Sequence, residues 1–212
     1  MPFTSPTTPP NHATTPIVPV TLVTGAAGFI GSHVCERLLA SGARVVGLDN
    51  FDPYYPRSVK AANIALLARS PSFTLIEADI ASPDAVRAAF NTHRPTGVIH
   101  LAGKAGVRPS IADPVGYTRA NVMGTSVLLD AAREFECRRF LLASSSSVYG
   151  NNRKIPFAED DDVSRPISPY AATKRACELL VHTHWSLTKM PSASLRFFTV
   201  YGPRQRPDLA IG

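Results

Sequence analysis

A chain of 212 residues with 44% hydrophobic content is long enough for one α/β domain with a buried core, and nothing in it resembles a membrane span. Its net charge of +6 comes from scattered basic residues, with short clusters at Arg138-Arg139 and Arg153-Lys154, which suits an anionic small ligand or a solvated surface better than nucleic acid. Cys35, Cys137 and Cys177 are odd in number and widely spaced, so they fit neither a disulfide framework nor a zinc site and point to a reducing, cytoplasmic setting.

Residues 1–19 carry six prolines among Ser, Thr and Asn and read as a disordered leader; residues 20–212 form the domain. The apolar run Val20-Thr21-Leu22-Val23 predicts a strand. It feeds Thr24-Gly25-Ala26-Ala27-Gly28-Phe29-Ile30-Gly31, a Gly-x-x-Gly-x-x-Gly loop that opens a helix marked by Val34, Leu38 and Leu39. In this setting Gly25 permits a tight turn, Gly28 lets a pyrophosphate approach the helix N-terminus, and Gly31 lets the helix lie close to the sheet. A second strand, Arg44 to Asp49, ends on a carboxylate 18 residues after Gly31, placed to accept from an adenosine ribose. That carboxylate would repel a 2′-phosphate, so the expected cofactor is NAD rather than NADP.

Further strands are expected at Thr74-Ile76, Val98-Leu101, Phe140-Ala143 and Ser194-Phe198, with helices near 58–69, 83–92, 113–135 and 169–188. The alternation predicts an α/β fold of Rossmann-like, doubly wound type, a parallel sheet with helices on both faces. At the start of the last helix, Ser168-Pro169-Tyr170-Ala171-Ala172-Thr173-Lys174 sets Tyr and Lys four residues apart on one face. A neighbouring ammonium favours the phenolate, so the pair can work as an acid/base unit on an alcohol or sugar hydroxyl. His100, in an apolar strand, reads as a packed imidazole, and Asp160-Asp161-Asp162 as a solvated loop.

The ordered motifs TGAAGFIGSH (24–33), LDNFDPYY (48–55), HLAG with AGVRPS (100–110), NVMGT (121–125), SSSSVYG (144–150), SPYAATK (168–174) and LRFFTVYGPRQRPD (195–208) resemble the extended short-chain dehydrogenase/reductases that epimerise nucleotide sugars. The resemblance implies NAD as cofactor, with Tyr170 as base, Lys174 as the residue that tunes it and bonds the nicotinamide ribose, and Ser145 as the hydroxyl on the reacting sugar oxygen; Ser144 and Ser146 are alternatives. It further implies cofactor contacts at Gly25, Gly28, Phe29, Ile30, Gly31, Asp49, Asn50, Asp79, Ile80, Leu101, Ala102, Gly103, Asn121 and Phe197. Substrate contacts are implied at Arg108, Ser145, Thr199, Arg204 and Arg206. Tyr149 is open between a sugar contact and strand-end packing.

Within the family, the Asp-Pro-Tyr-Tyr stretch and the last segment look most similar to UDP-glucuronate 4-epimerases, where a hydroxyl at Thr199 and a guanidinium at Arg206 suit a C6 carboxylate. Related 4,6-dehydratases place an Asp-Glu pair where Ser146 and Ser147 stand, which favours epimerisation. The alternatives are a UDP-glucose/UDP-galactose 4-epimerase and a nucleotide-binding chain without chemistry. Lys104 stands where the family has a neutral residue and is expected to face water. Family members continue for about a hundred residues, so the chain reads as C-terminally truncated; a homodimer through the helices near 113–135 and 169–188 is expected of the full-length protein.

Overall fold

A computed structural model describes residues 19–205; residues 1–18 of the expected leader at 1–19 and the expected substrate contact Arg206 lie outside the described residues. Six strands form one parallel sheet: β1 (Val20–Thr24), β2 (Arg44–Asp49), β3 (Phe73–Glu77), β4 (Gly97–His100), β5 (Phe140–Ser145) and β6 (Ser192–Phe197). Their spatial order is β3-β2-β1-β4-β5-β6, so the chain starts in the middle of the sheet, winds outward one way and then restarts beside β1 in the other. The expected strands are all present, with no end shifted by more than two residues.

Strands buried on both faces read as continuous apolar runs, and β1 and β2 do so. One face packs Val23, Val45 and Phe73 under α1 (Phe29–Ala40) and α2 (Arg57–Ile64). The other packs Leu22, Leu48, Val98, Phe140 and Leu142 under α3 (Pro83–His93) and the later helices. Helix starts follow local chemistry. Ser82 and Ser168 are N-caps followed by proline at the first helical position, and Ser168 Oγ accepts from Ala171 N–H at 3.1 Å. The Ser168 cap fixes the start of α7 (Pro169–Thr188) and so sets Tyr170 in its first turn.

The helix expected over 113–135 is broken into three parts: α5 (Pro114–Tyr117), a π-helical segment (Thr118–Met123) and α6 (Gly124–Glu134). A short α4 (Val107–Ala112) was not expected, because Pro109 interrupts its pattern in the sequence. Cys35, Cys137 and Cys177 are free and buried, and burial pushes the Cys35 thiol up to about 12, helped by Glu36, and the Cys137 thiol up to about 11.

Candidate active site

All six strands run the same way, so their C-terminal ends and the loops that follow share one edge of the sheet. Between β1 and β4 the chain leaves in opposite directions, and a cleft of about 640 Å³ opens there. The glycine loop forms one wall. Gly25 has φ +71°, and a Cβ there would lie 2.8 Å from Ala102 N; a Cβ on Gly31 would lie 1.9 Å from the Gly25 carbonyl. The loop is therefore packed as tightly as backbone allows, and α1 begins at Gly28 without a side-chain cap, leaving its first N–H groups for an anion. Glycines packed like this, a helix N-terminus and a cleft of this size suit a dinucleotide.

Gly25, Gly28, Phe29, Ile30 and Gly31 line the cleft, as do Asp49 and Asn50, Asp79 and Ile80, Leu101 to Gly103, Ser145, Tyr170, Lys174, Phe197 and Thr199. Asp49 is buried, with Oδ2 accepting from Ala27 N–H at 3.0 Å and Oδ1 from Phe51 N–H at 2.8 Å. Lys60, which the sequence reading missed, lies 3.3 Å from Oδ1. A carboxylate offers about four acceptor positions, so these three donors leave one for a ribose hydroxyl. Asp79 is likewise engaged, by Arg119 at 2.6 Å and by Ala81 N–H.

Asn121 does not line the cleft. It sits buried in the π segment, where Oδ1 accepts from Lys104 N–H at 2.8 Å while Nδ2 donates to the Lys104 carbonyl and to Thr173, both at 3.0 Å. It thereby ties the loop after β4 to α7. The same loop is held at the Ala105 carbonyl, which accepts from Tyr54 at 3.1 Å and from Tyr117 at 3.0 Å. Lys104 was expected to face water; instead its ammonium pairs with Asp113 at 2.9 Å, a hydrogen bond that raises its pKa.

Tyr170 and Lys174 share a face of α7 at the cleft, and the Tyr117 ring meets that of Tyr170 edge-on at 6.2 Å. Lys174 is buried and donates to the Ala143 carbonyl at 2.8 Å. The hydroxyl of Ser144 is taken by Glu178 at 2.6 Å, and Ser146 does not line the cleft, so Ser145 is the better placed of the three. Tyr149 packs away from the cleft, stacked on Phe157 at 4.6 Å with its hydroxyl on Arg196. Arg108 is exposed on α4 outside the cleft lining. Arg204 is turned onto α1, bonded to Glu36 and Ser32, and His33 Nε2 lies 2.9 Å from the Pro203 carbonyl. The neighbouring Gln205 lines the cleft in place of Arg204.

His100 is 2% exposed, with Nδ1 2.7 Å from Thr24 Oγ1 and Nε2 3.0 Å from Thr125 Oγ1. Burial, with a smaller push from Lys174, lowers its pKa to about 3. A depressed folded-state value means that the unfolded chain binds a proton the native state refuses. Its contribution is intact above about pH 6.5 and is lost towards pH 3, by about 1.4 kcal/mol per pH unit. Urea midpoints should fall across that window, and His100→Gln should flatten the fall; equal slopes in both proteins would place the acid sensitivity elsewhere.

A family model described as the NAD dependent epimerase/dehydratase family matches residues 21–211. A probable UDP-glucuronate 4-epimerase of Rhizobium meliloti is 45% identical over 190 residues, covering 90% of this chain and 56% of that relative. UDP-glucuronate 4-epimerase 4 of Arabidopsis thaliana is 46% identical over 190 residues, 89% of this chain and 43% of its own length. Among solved structures, UDP-glucuronic acid 4-epimerase from Bacillus cereus in complex with UDP-glucuronic acid and NAD superposes with a TM-score of 0.83 at 41% identity, over 90% of this chain and 60% of that one. This chain thus spans between 43% and 60% of the length of these relatives. The match runs through every strand and loop that walls the cleft, and on that footing the chain belongs to the NAD-dependent epimerase/dehydratase family.

Proposed function

We propose that this chain binds NAD in the cleft and takes part in the 4-epimerisation of a UDP-sugar, with UDP-glucuronate as substrate and UDP-galacturonate as product. The observation that carries the reading is that Tyr170, Lys174 and Ser145 line the same cleft as the glycine loop. The glucuronate branch is supported by Thr199 on the cleft lining and by the identity to UDP-glucuronate 4-epimerases.

In this reading Ser145 and Tyr170 hold the sugar O4, and Tyr170 takes its proton as C4 loses hydride. When bound, NAD supplies the acceptor for that hydride and the donor that returns it. Lys174, anchored on the Ala143 carbonyl, sets its amine nitrogen beside the phenol and the ribose. The cleft walls retain the 4-keto sugar while it turns, after which Tyr170 gives the proton back. Val115, Met123 and Leu179 remain exposed on the helices expected to form a homodimer, and the same reading assigns them to that interface.

Supplied with NAD and UDP-glucuronate, the chain should form the C4 epimer, separable by chromatography, with UDP-glucose run in parallel. Product from UDP-glucose alone would favour the UDP-glucose/UDP-galactose reading. With NAD bound and no product from either sugar, the chain would be a nucleotide-binding module without chemistry.

A further inference from the structure

Behind the wall that carries Ser145 lies a charged cluster that none of the steps above uses. Glu178 lies on α7 one helical turn past Lys174 and is 7% exposed. Its carboxylate accepts from the Ser144 hydroxyl at 2.6 Å, from Arg196 Nε and Nη2 at 3.0 and 3.1 Å, and from Arg175 at 3.0 Å. Burial pushes the Glu178 pKa up, but the bonds from Arg196, Ser144 and Arg175 outweigh it and hold the group below the ordinary carboxylate range. Arg196 stands opposite Ser144 in the β5–β6 register. Its Nη1 also donates to the Tyr149 hydroxyl and the Glu159 carbonyl, both at 3.1 Å.

Three consecutive residues at the end of β5 therefore have three different anchors. The Ala143 carbonyl is held by Lys174, the Ser144 hydroxyl by Glu178, and the Ser145 hydroxyl accepts from Ser147 N–H at 3.2 Å on the side of the cleft. Lys174 and Glu178 are neighbours on one helix face, so the strand end is fastened to α7 at two successive rungs. A buried ion pair is a weak source of stability, since apolar side chains of the same volume can replace it at little cost. What it adds is a fixed geometry, and here that geometry bears on the residue next to Ser144.

We propose that Glu178 and Arg196 are positioning residues that clamp the end of β5 between α7 and β6 and so set the Ser145 hydroxyl opposite Tyr170. The geometric claim stands on the cluster itself; its chemical consequence rests on the functional reading above. Loosening the clamp should disturb the Ser145 wall and leave the glycine-loop wall alone.

The test compares Glu178→Gln, Arg196→Met, Arg196→Lys and Ser144→Ala in the full chain by amide hydrogen exchange, NAD calorimetry and single-turnover reduction of bound NAD by UDP-glucuronate at 340 nm. In Glu178→Gln and Arg196→Met, amides of residues 145–150 should exchange about tenfold faster or more, while those of β1, β2 and β4 keep their protection. NAD affinity should hold, and the reduction rate should fall by about 10- to 100-fold at an unchanged half-saturating sugar concentration. Arg196→Lys should restore part of that rate. Unaltered exchange at 145–150, or protection lost evenly across the sheet, would overturn the proposal. Should Glu178→Gln fail to fold, Ser144→Ala decides, because it removes a single anchor and must show the same local gain in exchange. If the wild-type chain reduces no NAD while exchange responds locally, the epimerase reading fails and the positioning role stands.

Discussion

Tyr170→Phe should slow reduction of bound NAD by UDP-glucuronate by about 10²- to 10⁴-fold, with NAD affinity nearly unchanged. The substitution removes one oxygen and little else. The ring keeps its edge-on contact with Tyr117, and Lys174 keeps its bond to the Ala143 carbonyl. The Ser168 cap that sets the first turn of α7 is also untouched. A loss of rate therefore reports the missing proton acceptor rather than a displaced helix. Single-turnover absorbance at 340 nm reads the step directly. A rate equal to that of the wild type would take the proton away from Tyr170 and leave the cleft with a cofactor but no assigned base.

Gly31→Ala should cost stability and cofactor together. The added Cβ would lie 1.9 Å from the Gly25 carbonyl and 2.7 Å from its carbon, both backbone atoms with little room to move. Relieving that overlap means lifting α1 from the glycine loop. Overpacking of this kind costs about 1–3 kcal/mol, or roughly 3–10 °C of melting temperature for a chain of this size. The shift also pulls the first N–H groups of α1 out of register with a pyrophosphate, so NAD affinity should fall with it. Gly42→Ala is the control: φ is +82° there, which strains an alanine but not the native glycine, yet nothing lies within 4 Å of the new methyl. It should lose stability without losing NAD. Wild-type NAD affinity in Gly31→Ala would show that close packing of α1 on the loop is not what shapes the cofactor wall.

The parallel sheet was legible because short β-rich runs alternate with helical patterns, and the glycine-loop wall because glycine spacing and a strand-end acid are local patterns. Tyr170 and Lys174 were legible for the same reason: four residues on a capped helix fix their relation. Features that depend on residues far apart in sequence were not. Lys60 meets Asp49 from a helix whose sequence gives no sign of it, and Glu178 meets Arg196 from a neighbouring strand. The serine run could not be resolved by spacing alone; it took the partner waiting on α7 for Ser144. Asn121 was expected among the cofactor contacts, but its hold on both sides of Lys104 and on Thr173 depends on a π segment that no periodicity announced. Arg204 was placed with the substrate by its motif, and Glu36, 168 residues earlier, holds it on α1 instead.

That last contact bears on the order in which the molecule assembles. The segment carrying Pro203 and Arg204 closes onto α1 across almost the whole length of the described chain. Joining ends separated by about 170 residues costs roughly 4–5 kcal/mol of chain entropy. The glycine loop can form as soon as β1, α1 and β2 have met, but the wall bearing Thr199 and Gln205 arrives only after β6 has found β5. During synthesis, the half of the cleft that grips phosphate is thus complete long before the half that encloses it. A dinucleotide touching both halves would be bound most firmly by the finished fold, so ligand and late closure draw on the same free energy.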